Sequence, residues 1–429
     1  MRNDRRLPVG LLFGAAFLVA GLYGRSPALL LLGVPPLVYA ASLALSHAMM
    51  RRPVLEATRT PSMGRVTEGD VVTMTICVTN NGPDVAFAAV LDELSDDMTL
   101  VSGEPGYCGP LHRSEPVTAA YDLRVPRGVH VQSTLRVLIW ARAGLSLEDY
   151  RFDCPTYVAA LPCVEPLPAV AIRPRKTHTA VGPVKARVAG SGVEFFGCRG
   201  YVPGDDIRRV NWRAYAKYGR PFVNEYEDER MTDVIVVLDV RVTAHVRTNG
   251  ESTFEPSCRA AASLAAHFMR RGNRVGFLLY GQTVDWIEPA GGRFHLEKIL
   301  GTIARAHPAR SYAFEDLANL PLQMLPSGSQ IVVVSPLSRS GDALVAAKLR
   351  ARGCSVLVFY VDSLELERSA EKPDAALDLA VRTRTLEMAT DFRIMESMGV
   401  EVIPWSVMQP LAVAIRAAQL NRGIERRSQ

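Results

Sequence analysis

Residues 233–239 read DVIVVLD, five apolar side chains between two acids. A run this short and this rich in Val and Ile reads as a strand. Similar runs recur at 275–280, 331–334, 356–361 and 400–404, and helical patterns lie between or after them at 256–271, 293–306, 341–352, 374–398 and 407–420. Strand alternating with helix at this spacing predicts a mostly parallel sheet covered on both faces, with its working edge at the carboxyl ends of the strands.

Just upstream the chain changes character. Residues 192–230 read GVEFFGCRGYVPGDDIRRVNWRAYAKYGRPFVNEYEDER, eight aromatic rings, seven acids and seven bases in thirty-nine residues. VPGDD is turn chemistry: Pro presets φ, Gly tolerates a positive one, and Asp205 or Asp206 can cap the residues after the turn. IRRVNWRAYAKYG sets Ile207, Val210 and Ala214 or Tyr215 at helical spacing, enough for one short turn, and after YGRP the stretch FVNEYE is extended. Paired charges beside so many rings suggest ion pairs partly shielded from water. Two readings stay open: a clasp that orders a loop-rich junction, or an exposed surface on which Trp212, Tyr215 and the arginines anchor a protein partner, as such residues commonly do.

From 53 to 162 the hydrophobic period is two. DVVTMTICVTNNGPDVAFAAVLDEL alternates, turns at NNGPD and alternates again, and VQSTLRVLIWARAG and YRFDCPTYVAALP repeat the style, so a small antiparallel sandwich is expected. It holds no cluster of nucleophile, base and orienting acid, which favours a spacer or interaction role. The Pro-rich passage 162–183 reads as a linker or an extended edge.

The N-terminus carries two uncharged apolar stretches, LPVGLLFGAAFLVAGLYG at 7–24 and PALLLLGVPPLVYAASLALSHAMM at 27–50. Each is long enough to cross a hydrocarbon core about 30 Å thick at roughly 1.5 Å per residue. A cleaved signal peptide competes for the first stretch, but it lacks a convincing small-residue cleavage site and the second stretch begins almost at once. Arg2, Arg5 and Arg6 precede the pair, Arg51 and Arg52 come after it, and Arg25 alone sits between, which puts both ends in the cytoplasm. Pro35 and Pro36 are expected to kink the second helix.

A chain of 429 residues is too long for one ordinary core and suggests two or three domains. Its net charge of +5 is small for this size, with bases scattered among acids, which argues against nucleic acid as the main partner. The seven cysteines (Cys77, Cys108, Cys154, Cys163, Cys198, Cys258 and Cys354) are odd in number, widely spaced and contain no CxxC, the pattern of a reducing compartment.

With Glu194, Phe195, Arg199, Tyr201, Pro203, Gly204, Asp205, Arg208, Asn211, Trp212, Arg220 and a terminal EDER in this order, leading directly into DVIVVLD, the chain resembles the family known as domain of unknown function fifty-eight. That resemblance implies two N-terminal membrane helices, a β-rich segment, this signature and a von Willebrand factor A-like domain. It also implies work alongside a MoxR-type AAA+ ATPase and other membrane proteins. The expected layout is a transmembrane hairpin within 1–52, an immunoglobulin-like β-sandwich over 53–162, a linker over 163–190, the signature over 191–232 and the α/β domain over 233–429. Interaction residues are expected at Glu194, Phe195, Arg199, Tyr201, Asp205, Arg208, Asn211, Trp212, Tyr215 and Arg220.

A von Willebrand-like domain raises the question of a divalent cation. Its adhesion site usually comes after the first strand as Asp-x-Ser-x-Ser, one carboxylate and two hydroxyls turned toward an octahedral Mg²⁺. Here LDVRVTAHV supplies Asp239 and Thr243, but Arg241 stands in the first hydroxyl position, and beside Ser335 the neighbours Ser-Pro-Leu-Ser offer no second acid. A guanidinium cannot ligate a cation and repels it by several kcal/mol at an effective dielectric near 20. No tight metal site is expected; the arginine is expected to replace the ion as a built-in positive charge, pairing with Asp239 or with a partner's carboxylate.

The sequence has no GxxxxGK[ST] loop, no HExxH, no GxSxG elbow and no GxGxxG after a strand, and its eight histidines are dispersed. No cofactor is expected. Three classes of function remain: a non-catalytic membrane-anchored adaptor or assembly factor, a metal-dependent adhesion module weakened by Arg241 and Ser335, and an enzyme of unrecognised type.

Overall fold

Runs of Leu, Ala and Gly carry the chain into two helices, α1 (Arg6–Tyr23) and α2 (Pro27–Met49). The computed structural model describes residues 6–49, 52–95, 97–140, 147–170, 178–248, 250–281, 284–308, 325–338, 342–370 and 375–428. Glycines set the spacing of the helix pair: a Cβ on Gly14 would lie 2.6 Å from Leu37 Cγ, and one on Gly21 2.8 Å from the backbone nitrogen of Leu30. α2 continues as helix through Pro35 and Pro36. The helices form where the sequence places them, but the expected spans are not thereby established. Among the described residues no helix is long and apolar enough to cross a membrane.

The chain divides into two units, Met1–Leu161 and Pro162–Gln429, and together they hold both helices and sheets. In the first, the helices give way, among the described residues, to strands β1 (Leu55–Pro61), β2 (Arg65–Thr67), β3 (Val71–Asn80), β4 (Val85–Asp92), β5 (Thr99–Gly103), β6 (Gly106–Leu111), β7 (Pro116–Arg124), β8 (Gly128–Trp140) and β9 (Leu147–Leu161). One sheet has the order β1-β3-β7-β5, the other β2-β9-β8-β4-β6. Alternation places Val72, Met74, Ile76 and Val78 of β3 inward, where they share one core with Leu123 of β7, Val90 of β4 and Leu135, Val137 and Ile139 of β8.

That core holds one buried ionic knot. Arg59 donates from Nη1 to Asp92 Oδ1 (3.0 Å) and Gln132 Oε1 (3.0 Å), and from Nη2 to the Cys154 carbonyl (3.1 Å). The Tyr121 hydroxyl donates to Asp92 Oδ2 at 2.5 Å. Burial raises the Asp92 carboxyl above the usual range despite Tyr121 and Arg59, and burial and Asp92 together push the Tyr121 hydroxyl up. β1 and β7 lie in one sheet and β4 and β8 in the other, so the knot ties the two sheets.

The second unit begins with a strap over 162–170, held to a later helix, and a long ribbon of β10 (His178–Gly200) paired antiparallel with β11 (Phe222–Met231), their ends joined through a 3₁₀ turn (Ile207–Arg209) and α3 (Trp212–Tyr218). Then come β12 (Asp233–Asp239), the small pair β13 (Arg247–Thr248) and β14 (Glu251–Ser252), α4 (Phe254–Arg270), β15 (Arg274–Tyr280), β16 (Val284–Ala290) and α5 (Arg293–Arg305). The remaining elements are β17 (Gln330–Ser335), α6 (Asp342–Ala351), β18 (Ser355–Asp362), α7 (Leu364–Ala370), α8 (Ala375–Ser397), β19 (Glu401–Ser406) and α9 (Leu411–Ser428).

Among the described residues the main sheet has the order β16-β15-β12-β17-β18-β19, every pairing parallel except that of the edge strand β16. All seven residues of central β12 are buried. Ile235 and Val237 meet Leu349 of α6 and Met388 and Met395 of α8, while α4 packs against the same strand. Alternate residues therefore serve two apolar faces, which explains the unbroken run of Val and Ile.

Removing one partner of a buried pair leaves the other charge uncompensated, typically at about 3–5 kcal/mol. Arg59→Met is accordingly expected to lower the stability of the first unit by that amount, against about 1–3 kcal/mol for Tyr121→Phe. Urea unfolding of the full chain checks this, and a loss under about 1 kcal/mol for Arg59→Met would show that the knot is dispensable.

Candidate functional site

The ribbon ends in a head built by short-range polar contacts. Arg199 grips Asp205 with two parallel bonds of 2.7 Å, and the Val202 N–H donates to the same carboxylate at 2.8 Å. Arg199 and then the Val202 amide hold the Asp205 carboxyl down at about 2. Asp206 caps the 3₁₀ turn by accepting from the Arg208 amide at 3.0 Å. Asn211 caps α3 through the Ala214 amide (3.0 Å), and its side-chain nitrogen donates to Asn224 Oδ1 (2.9 Å), locking helix to ribbon. α3 ends on Gly219 at φ 69°, the left-handed conformation that Gly adopts most easily.

On this frame the rings stay outside. Trp212 is 64% exposed, and the exposed Tyr215 stands edge-on to it at 6.2 Å. Tyr218, which its sequence context does not single out, packs edge-on to Phe222 at 5.8 Å, and the Arg220 guanidinium lies 5.2 Å from the Phe222 ring. Tyr201 is half-buried and donates its amide to the Pro221 carbonyl at 3.0 Å, while Arg208 is exposed. Thus Arg199, Asp205 and Asn211 build the head, and Arg208, Trp212, Tyr215 and Arg220 furnish its surface. The side chains of Glu194 and Phe195 lie outside the described residues, although Phe195 is in register with Tyr226 across the ribbon.

A second cluster forms at the carboxyl edge of the main sheet. Asp239 ends β12 and Ser335 ends β17, neighbouring parallel strands, so the topology brings them together. The Arg241 guanidinium donates from Nε to Asp239 Oδ1 (2.9 Å) and from Nη2 to Asp239 Oδ2 (2.7 Å). It also donates from Nη1 to Asp342 Oδ1 (3.2 Å) and from Nη2 to Asp342 Oδ2 (3.0 Å). Ser335 Oγ donates to Asp239 Oδ2 at 2.7 Å and accepts the Leu337 amide at 3.1 Å. All four side chains are buried, Arg241 at 3% exposure. Burial alone would loosen the guanidinium proton, but the bonds and charges of Asp239 and Asp342 outweigh it and hold that proton more tightly than usual.

Two sequence expectations need correction here. Thr243 does not join the cluster; its side chain is exposed, because the chain turns at 242–244 and the Ala244 amide closes onto the Arg241 carbonyl. The second acid expected to be missing beside Ser335 is supplied by Asp342, seven residues on, in the first turn of α6. An acid opening the helical pattern after SRSG was its sequence signal, since the helix N-terminus favours a carboxylate there. With a guanidinium between the two carboxylates, the residues do not fit a divalent cation.

His245 lies beside the cluster. His245 Nε2 meets the Asp239 carbonyl at 2.6 Å, which can only accept, so Nε2 carries the proton and Nδ1 accepts from Thr253 Oγ1 at 3.1 Å. Burial holds the His245 pKa below its ordinary value. On α4, Ser263 accepts the Glu165 amide (2.9 Å) and His267 Nε2 the Val170 amide (3.4 Å), so both side chains anchor the strap.

Residues 197–374, which contain both the head and the Arg241 cluster, match the family model described as protein of unknown function DUF58. Uncharacterized protein Rv1480 of Mycobacterium tuberculosis is 28% identical over 167 residues, 39% of this chain and 51% of that protein. Uncharacterized protein YeaD of Bacillus subtilis is 23% identical over 269 residues, 59% of this chain and 62% of that protein. The chain therefore spans about half to three-fifths of the length of these curated relatives. Among solved structures, a FixG-related protein from Vibrio parahaemolyticus aligns at 11% identity with a TM-score of 0.16, over 23% of this chain and 95% of that one, a likeness too low to carry a fold argument.

Burial, then Arg271 and Arg270, lower the His267 pKa from 6.5 to about 4. The unfolded chain consequently takes up this proton first as the pH falls. Stability from His267 is intact above about 6.5 and drains away down to about 4, on the order of 3 kcal/mol in all. Acid unfolding monitored between pH 7 and 4 should show that slope in the parent and a visibly flatter one in His267→Gln.

Proposed function

We propose that the chain is a non-catalytic adaptor or assembly factor whose ribbon head is its protein-binding surface, working with a MoxR-type AAA+ ATPase. The observation that carries this reading is the Trp212–Tyr215 pair, a large exposed ring surface on a helix capped at both ends. Such rings lose little conformational entropy on binding and supply most of the energy at interfaces. Over 197–224 the head has six bases (Arg199, Arg208, Arg209, Arg213, Lys217 and Arg220) against two acids (Asp205 and Asp206), so it suits an acidic partner face.

The finer fold names belong to the same reading. A parallel sheet with one antiparallel edge strand and a charged cluster at the carboxyl ends of β12 and β17 supports a von Willebrand factor A-like domain. The two-sheet core of the first unit supports an immunoglobulin-like sandwich. Placement at the cell membrane, with both termini and the remaining domains in the cytoplasm, is supported by the uncharged stretches 7–24 and 27–50, their flanking arginines, the glycine-spaced helix pair and its exposed Leu12, Phe13, Leu22 and Leu31. Metal-dependent adhesion is disfavoured by Arg241, whose guanidinium lies between the Asp239 and Asp342 carboxylates.

Full-length protein in detergent, mixed with the MoxR-type ATPase of its own organism, tests the proposal. Combined Trp212→Ala and Tyr215→Ala should weaken binding by about 30-fold or more, the scale of a 2 kcal/mol hot spot, with an unchanged melting temperature. Equal binding by parent and double variant, or no binding by the parent at low salt, would overturn it.

A further inference from the structure

We infer that Arg241 is an internal substitute for a divalent cation, so that the carboxyl edge of the main sheet is held permanently in its cation-loaded arrangement and does not respond to ambient metal. This does not rest on the adaptor reading. Nη2 of Arg241 lies 2.7 Å from Asp239 Oδ2 and 3.0 Å from Asp342 Oδ2, and Ser335 Oγ lies 2.7 Å from the same Asp239 oxygen. One nitrogen thus occupies the point on which two carboxylates converge beside a hydroxyl, the donor set that hard divalent ions take.

The arrangement links three places in the chain. Asp239 closes β12, Ser335 closes β17 and Asp342 opens α6, and the guanidinium ties the first of these to the last. In water, two carboxylates could stay apart. Here Asp239 and Asp342 are buried, at 0% and 1% exposure, and the Arg241 guanidinium sets a positive charge between them. A metal ion supplies such a charge only when it is bound, and its occupancy depends on concentration. A side chain supplies it always.

A divalent ion would also have open coordination positions for an outside carboxylate. The guanidinium offers none comparable: four of its N–H bonds point at Asp239 and Asp342, and the side chain is 3% exposed. The sheet edge is therefore removed from ligand capture and kept as a fixed support.

The ionic site is recoverable by one substitution. Arg241→Ser removes the internal charge and places a hydroxyl where the adhesion motif has its first serine, leaving Asp239, Ser335 and Asp342 as further donors. Carboxylate spacings set by N–H···O bonds of 2.7–3.0 Å are closer to the oxygen distances of Ca²⁺, about 2.3–2.6 Å, than to those of Mg²⁺, about 2.0–2.1 Å, so both ions and Mn²⁺ belong in the test.

Melting of the full chain is measured in EDTA and in millimolar Mg²⁺, Mn²⁺ or Ca²⁺. The parent should melt at one temperature throughout. Arg241→Ser should melt about 10 °C lower in EDTA, as expected for loss of a buried counter-charge, and at least one ion should restore most of the difference. Adding Asp342→Asn to Arg241→Ser should abolish that restoration. If Arg241→Ser does not fold in EDTA, refolding yield with and without each ion gives the same readout, and Arg241→Lys serves as the folded, ion-indifferent control. The inference fails if Arg241→Ser melts like the parent, if none of the three ions rescues it, or if the parent binds an ion saturably and Asp342→Asn removes that binding.

Discussion

A guanidinium between two buried carboxylates is the constraint around which the second unit is arranged. At an effective dielectric near 20, opposite charges 3–4 Å apart attract by roughly 4 kcal/mol, and the same figure with the sign reversed applies to two carboxylates brought that close. Arg241 pairs with both Asp239 and Asp342 in the interior. Further dipoles face the two carboxylates: the Ser335 hydroxyl, the Arg241 amide on Asp239 Oδ1 at 3.1 Å, and the start of α6 at Asp342. β12, β17 and α6 are thereby fixed at one end of the sheet, which makes that end a rigid support.

The same ionic chemistry recurs in two other settings and does different work in each. Arg59 and Asp92 are fully buried, so their pairing holds two sheets together and cannot be removed by halves. Arg199 and Asp205 make equally short bonds, but Arg199 is largely exposed and water screens the pair. That contact contributes little stability; it fixes the shape of a turn. In the head, order therefore serves geometry, and the rings are held out instead of being drawn into a core.

Much of the α/β unit was legible because its strands are buried on both faces. Unbroken runs such as 234–238 can hardly be anything else once helical patterns separate them, and β12, β15, β17, β18 and β19 fall where those runs lie. The edge strand β16 was not legible: VDWIEPA mixes acids and a proline with apolar residues, as an exposed edge permits. The Arg241–Asp239 contact was readable from spacing, since a side chain two residues on can fold back to a strand end. Asp342 was not, because it lies 101 positions from Arg241 and only the parallel pairing of β12 with β17 brings α6 to it. Thr243 misled for a local reason, a turn that carries its side chain outward.

The division between a closed sheet edge and an exposed head bears on where recognition can occur. In a doubly covered parallel sheet the carboxyl edge is the usual binding place, because strand ends and helix starts leave polar groups unpaired there. In this chain those groups satisfy one another: Arg241 bonds Asp239 and Asp342, Ser335 donates to Asp239, and His245 closes onto the Asp239 carbonyl. The head shows the opposite pattern. Its polar groups are engaged in capping and clasping, while Trp212, Tyr215 and Tyr218 keep much of their surface in water. The chain thus closes its own sheet edge with an arginine and leaves the rings of a capped helix in water, which is the contrast on which the proposed binding role of that helix rests.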